Sequence, residues 1–258
     1  MDALRRDFLP SDAYREMLGA GIDACIAVQA RQTLDETRWL LDLADANPFV
    51  AGVIGWVDLQ ADDAAEQLEP FVNHAKLVGL RHVVQDEPDD RFMLRPPFCR
   101  GLSLLEDRGL TYDILIRPRH LPVAVELVSR FRRQRFVLDH AAKPDIRGAD
   151  MRDWERNIRD LAAFPLVFCK VSGLVTEADW QHWTPADVRP FLDVVFDCFG
   201  ADRVLAGSDW PVCTLAADYR RTMSLVSDYV TCRPQAERDA VMGENAMRLW
   251  QLPGGDNV

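Results

Sequence analysis

Residues 50–57 read VAGVIGWV and residues 77–84 read LVGLRHVV, two short runs with apolar residues at both parities of an extended chain. A strand with one wet face alternates apolar and polar residues, whereas a strand covered on both faces is apolar throughout. Runs of the same kind recur at 22–29 (IDACIAVQ), 110–116 (LTYDILI), 135–139 (RFVLD), 166–171 (LVFCKV) and 203–207 (RVLAG). Segments of helical period separate them, at 34–46, 62–74, 97–108, 120–131, 150–163, 186–199 and 216–230. Thr33 or Asp35 is placed to cap the first helix, and Thr184 followed by Pro185 marks the start of the sixth. Run centres lie roughly 24–37 residues apart, the length of one strand–helix unit.

This alternation predicts a parallel sheet covered by helices. A doubly wound open sheet and a closed (β/α)8 barrel both satisfy it, and the polar residues separate the two. Gln29, Asp58, His82, Gln85, Arg117, His140, Lys143, Ser172 and Asp209 fall at the C-terminal ends of the runs, the face on which barrels build their sites. An open sheet would gather such residues at one switch point, and no run is followed by a G-x-G-x-x-G or phosphate loop. The expected fold is therefore α/β, a TIM-type (β/α)8 barrel forming one domain over residues 1–258. Seven runs are one fewer than eight. A helix over 11–19, capped by Ser11 or Asp12, precedes the first run, so the strand expected to be lacking is the first.

Composition narrows the function. The 258 residues carry 30 Lys and Arg against 41 Asp and Glu, a formal net charge of −11, with 48% hydrophobic residues. Such an apolar content supports a full core rather than disorder, and the acidic balance argues against nucleic acid as a partner. No apolar run of about 18 residues is present, so no membrane partner is expected. The N-terminal residues lead into charge rather than an apolar signal core. Six cysteines stand with no two closer than 15 residues and no C-x-x-C, which suits reduced thiols in a cytoplasmic protein.

Chemistry concentrates at a few strand ends. His140, in DHAAKP directly after an apolar run, is placed as a general acid, electrophile or metal ligand. Asp209, in GSDWP after the last run, is placed to activate water or hold a metal, with Trp210 as an apolar wall. Neighbouring residues of a strand point to opposite faces, so Arg81 and His82 cannot both enter the barrel. The reading assigns proton work to His82 and contact with an anion or carbonyl to Arg81. Lys170 and Ser172 share a strand face and are placed to meet substrate hydroxyls. His74 and His120 are expected at the surface, and the loop 180–183 is a candidate lid.

These residues sit inside longer stretches: LRRDFLP, GVIGWVDL, KLVGLRHVVQDEPD, RFVLDHAAKPDI, CKVSGLVTEADW, FGADRVLAGSDWPV and GENAMRLW. Together, from about Leu4 to Leu252, they resemble the amidohydrolase superfamily, in the amidohydrolase-related (amidohydrolase 2) branch that includes sugar-lactone hydrolases of the fuconolactonase and rhamnonolactonase kind. The resemblance implies hydrolysis at an ester-like or lactone carbonyl. By position Asp209 is the aspartate that handles water, His140 the sixth-strand histidine, and Arg81-His82 the fourth-strand pair. The branch carries an H-x-H segment on its first strand, upstream of Leu4, and no H-x-H occurs here. His140 and Asp209 remain as matched metal ligands, fewer than the three a catalytic zinc takes. The expected cofactor is thus either none or a single divalent metal, zinc or manganese.

The expectation assembled from these readings is a lactone hydrolase acting on a small polyhydroxylated lactone. Asp209, His140 and His82 are its catalytic candidates; Gln29, Arg81, Arg117, Lys170 and Trp210 orient the substrate. A metal-dependent decarboxylase or amide hydrolase of the same superfamily, and a non-catalytic truncated barrel, are the alternatives. Unpaired strand edges at the gap leave a homo-oligomer open.

Overall fold

The computed structural model describes residues 2–252, and the expected domain 1–258 reaches outside them. Seven strands form where the seven runs lie: β1 (Cys25–Val28), β2 (Val50–Gly55), β3 (Leu77–His82), β4 (Thr111–Ile114), β5 (Phe136–Leu138), β6 (Val167–Val171) and β7 (Val204–Ala206). All neighbouring pairs are parallel and the spatial order is the chain order. Helices α1 (Pro10–Gly19), α2 (Leu34–Ala46), α3 (Ala64–Val72), α4 (Pro96–Glu106), α5 (Leu121–Arg130), α6 (Arg152–Ala162), α7 (Pro185–Phe199) and α8 (Tyr219–Val230) punctuate them. Thr33 caps α2 by accepting from the Glu36 N–H, and Asp187 accepts from the Thr184 N–H at the start of α7. The cap expected of Ser11 or Asp12 differs in form. Helix α1 begins a residue earlier, and Asp12, within its first turn, accepts from the Leu9 N–H at 3.1 Å.

Two apolar layers result. The larger lies between sheet and helices, from Leu40 and Leu41 of α2 round to Val226 and Val230 of α8. The inner one joins Ile54, Val78, Val137 and Leu205, with Ile26, Val28 and Phe168 partly buried against them. Side chains from six of the seven strands, β4 excepted, meet in one cluster only if the sheet curls on itself. Two further helices follow, α9 (Gln235–Asp239) and α10 (Asn245–Trp250), and α10 stops the base of the inner layer. Leu249 and Trp250 enter the inner cluster, and the Trp250 indole N–H donates to Thr111 Oγ1 at 3.0 Å.

Among the described residues β1 pairs only with β2 and β7 only with β6, so the barrel is open along one seam. This is the barrel short of one strand that the run count predicts. Met17 of α1 packs with Tyr219 and Met223 and against Cys25, Phe49, Ala206 and Trp210, so α1 bridges the seam on its outer side. No helix of the described residues is long and apolar enough to cross a membrane.

Candidate functional site

Five strand ends contribute to a buried polar cluster inside the curl. Arg81, on β3, donates from Nη1 to Asp139 Oδ2 at 2.8 Å and from Nε to Gln29 Oε1 at 3.2 Å. Lys170, on β6, donates to Asp139 Oδ1 at 2.7 Å and also reaches Asp113 Oδ2. Apart from Lys170–Asp139, which joins the neighbours β6 and β5, these contacts join strands that are not neighbours, which is possible only on the concave face. Asp113 and Asp139 are fully buried and would be prohibitively costly as lone charges; two cations against two carboxylates make the cluster neutral. Burial opposes ionisation of Asp139, but Lys170 and Arg81 outweigh it and hold its carboxyl well below the usual carboxylate range. Asp113, whose one ion-pair partner among the described residues is Lys170, is pushed up by burial. Gln29 is buried, and its Nε2 finds no hydrogen-bond partner among the described residues.

Strand alternation decides between the two members of the Arg81-His82 pair. Arg81 takes the inside. His82 lies on the other face, stacked on Phe92 at 4.6 Å between ring centroids. Its Nδ1 accepts from the Trp56 indole N–H at 3.2 Å. An indole only donates, so His82 carries its proton on Nε2, which gives it to Glu87 Oε1 at 2.7 Å. With both nitrogens so engaged, His82 is held by the outer layer, and the proton work assigned to it does not fit this geometry.

His140 and Asp209 do come together. Their atoms His140 Nε2 and Asp209 Oδ1 stand 3.7 Å apart, and His140 Nδ1 lies 2.8 Å from Ser172 Oγ. The backbone that brings His140 here is unusual: His140, Ala141, Ala142 and Lys143 all have φ between 48° and 61°. A left-handed conformation costs L-residues roughly 1–2 kcal/mol each, and such strain persists where its surroundings over-determine it. Here Asp139 is clamped by Arg81 and Lys170, and the Trp154 indole N–H donates to the Ala141 carbonyl at 2.8 Å. Asp209 is itself left-handed, at φ 54°. Between the pair lies Gly173, also at positive φ. A Cβ there would stand 2.8 Å from His140 Nδ1 and 2.9 Å from Asp209 Oδ2, so the position admits only glycine without displacing both groups. Burial holds the His140 imidazole below its ordinary range, and the nearby Asp209 carboxylate pulls it partway back. His140 is accordingly neutral near pH 7.

Other expected residues settle differently. Trp210 follows Asp209 and meets Phe8 edge-on at 5.2 Å, the pair forming an aromatic wall. Arg117 is exposed beyond β4, and together with Lys143 it acts on the Glu177 carboxyl, which burial pushes up. Lys170 is committed to two carboxylates rather than left free for hydroxyls. His120, expected at the surface, is buried: Nδ1 accepts from the Arg117 N–H and Nε2 faces Asp90 at 3.0 Å. In the loop 180–183, Trp183 is a core residue whose indole donates to the Ala216 carbonyl, which pins the expected lid. Asp113 and Asp139 escaped the sequence reading, although a carboxylate inside the apolar run LTYDILI is a signal that a buried cation must face it. A cavity of about 340 Å³ between α1 and α8 is lined by Ile22, Met223 and Met242 and contains neither His140 nor Asp209.

A divalent metal at this site would draw on His140 Nε2 and Asp209 Oδ1. Among the described residues no group of three His, Cys, Asp or Glu side chains could hold an ion, whereas a catalytic zinc takes three protein ligands and keeps one open position. The described donor set therefore does not fit a tightly held zinc.

Comparison with known proteins agrees with this architecture. The family described as Amidohydrolase matches residues 2–252. An L-fucono-1,5-lactonase of Burkholderia multivorans is 42% identical over 98% of this chain and 89% of its own length. An L-fucono-1,5-lactonase of Burkholderia ambifaria is 37% identical over 99% of this chain and 90% of its own. A crystal structure of a Burkholderia multivorans amidohydrolase with bound zinc superposes with a TM-score of 0.94 at 42% identity, covering 98% of this chain and 92% of that one.

Proposed function

The chain belongs to the amidohydrolase family, and from that premise we propose that it is a hydrolase opening a small polyhydroxylated lactone to its hydroxy acid. The observation that carries the reading is the His140–Asp209 pair at the strand ends, with Nε2 and Oδ1 3.7 Å apart on a backbone strained to hold them. Relatives named L-fucono-1,5-lactonase, alike along nearly the whole chain, make a sugar-acid 1,5-lactone the substrate to test first.

Asp209, part-exposed at 20% of its side chain, is the general base. Water attacks the lactone carbonyl carbon as its proton passes to the Asp209 carboxylate, and the carbonyl π electrons move to oxygen. Neutral His140 donates a hydrogen bond to that oxygen, where charge develops. When the tetrahedral intermediate collapses, the ring C–O bond breaks and the leaving oxygen takes the proton back from Asp209. Atoms balance as lactone plus water to hydroxy acid, and the carboxylate is regenerated. Gln29 Nε2, a buried donor without a hydrogen-bond partner among the described residues, Arg81 beside it and the Trp210 ring orient the substrate, in keeping with an apolar pocket bearing a few placed polar groups. Arg117 lies further out and guides the polar substrate at the mouth.

The zinc in the Burkholderia multivorans structure belongs to that protein; whether one acts here is read from activity before and after chelation and re-addition of zinc or manganese. A cytoplasmic setting belongs to the same proposal; the net charge of −11, which disfavours nucleic acid, and the wide spacing of the thiols support it. Asp209→Asn is expected to lower kcat/KM for a sugar-acid 1,5-lactone by roughly 10²- to 10⁴-fold while leaving the thermal unfolding midpoint in place. Turnover at the wild-type rate in that variant would dispose of the assignment.

A further inference from the structure

We propose that Ser172 is a positioning residue that fixes the tautomer and orientation of His140, an inference that rests on the hydrolytic reading above. Ser172 stands just past the end of β6, is 5% exposed, and places Oγ 2.8 Å from His140 Nδ1. Behind it, the crevice lined by Ser172, Gly173, Gly207 and Thr222 measures about 10 Å³, near the smallest volume that admits a water. The hydroxyl is turned toward the imidazole, with little space around the residue for a competing water.

The proton on His140 follows from its two neighbours. Nε2 faces the Asp209 carboxylate, which repels a ring lone pair and attracts an N–H. Nδ1 is then the acceptor, and the Ser172 hydroxyl, able to donate or accept, donates to it. This tautomer aims Nε2–H at the side where Asp209 brings water, the polarity that a developing oxyanion requires. Without the hydroxyl the ring loses the bond that orients it, and only Asp209, at 3.7 Å, still favours this tautomer. The opposite one, whose Nε2 lone pair would face both carboxylate and oxyanion, then gains population. Serine as nucleophile is disfavoured by the same geometry: Ser172 and His140 are both buried, and the part-exposed Asp209 lies on the other nitrogen.

The test has two independent arms on the full-length protein. Nitrogen-15 NMR of the imidazoles, with the His140 signals identified by their loss in His140→Gln, should show the Nε2–H tautomer in the wild type; an Nδ1–H tautomer there overturns the proposal without any variant of Ser172. In the kinetic arm, Ser172→Ala should lower kcat roughly 10- to 100-fold, as loss of an imidazole's orienting partner does, with KM little changed and the melting midpoint retained. Ser172→Thr, which keeps the hydroxyl, should restore most of the rate. Wild-type kcat in Ser172→Ala beside an inactive Asp209→Asn overturns the positioning role alone, as does mass-spectrometric capture of an acyl adduct on Ser172. An active Asp209→Asn overturns the hydrolytic reading instead, and the NMR arm still decides the tautomer.

Discussion

At the scale of single residues, burial decides what a histidine does. His120 lies in a turn that reads as surface, yet the Arg117 N–H and Asp90 draw its ring under the loop between β4 and α5. Burial, with Arg119 adding to it, holds this imidazole below its ordinary range. A histidine whose folded pKa is depressed takes up its proton in the unfolded chain first. Stability is therefore full above the unfolded value near 6.5 and falls as the pH drops through it, until the folded protein also protonates. The thermal midpoint should decline between pH 7.5 and about 5, and His120→Gln should make that decline shallower. An identical slope in the variant would show that His120 titrates as it does unfolded. His140 shares the direction of the shift but serves chemistry instead, because its second nitrogen faces Asp209 rather than a structural turn.

At the scale of elements, the strand ends are tied together by charge. The cluster of Arg81, Asp139, Lys170 and Asp113 links β3, β4, β5 and β6 on the concave face and anchors the left-handed turn that carries His140. Its stability is conditional, since removing one partner of a buried pair strands the other. Lys170→Met is expected to cost about 3–5 kcal/mol, measured by urea denaturation. Adding Asp113→Leu should return part of that loss, because Asp139 keeps Arg81 while the unpaired Asp113 carboxylate is gone. A double variant no more stable than Lys170→Met would place the cost in lost packing rather than charge. The same cluster explains why Lys170, at a strand position shared with Ser172, is not a free substrate contact.

For the molecule as a whole, the barrel has a chemical end and a structural end. The strands' C-terminal ends hold the polar cluster and the His140–Asp209 pair, whereas the N-terminal ends are stoppered by Leu249 and Trp250. Arg135 reinforces the stopper by donating from Nη1 to the Leu249 carbonyl. Trp250→Ala should destabilise by about 3–5 kcal/mol, read from chemical denaturation, with kcat unchanged at temperatures where the variant stays folded. A large kcat loss without destabilisation would contradict this division of labour. The seam between β1 and β7 runs between the two ends, and α1 spans it through Met17 rather than through backbone pairing. An unpaired edge of this kind is where a sheet recruits further chain.

The number, order and direction of the strands were legible in the sequence, because strands covered on both faces must be apolar at both parities and helices must repeat every 3.6 residues. That His140 and Asp209 share one end of the barrel was legible too, since His140 follows directly on an apolar run and Asp209 stands two residues past the last one. Whether Arg81 or His82 turns inward was not, because alternation supplies two faces without saying which is concave. Nor was the commitment of Lys170 to Asp113 and Asp139, or of Ser172 to His140, since these contacts join residues 31–57 positions apart and exist only once the sheet has curled. Local periodicity is a property of neighbours along the chain; the pairing of buried charges belongs to neighbours in space, and only the curl of the sheet made them neighbours.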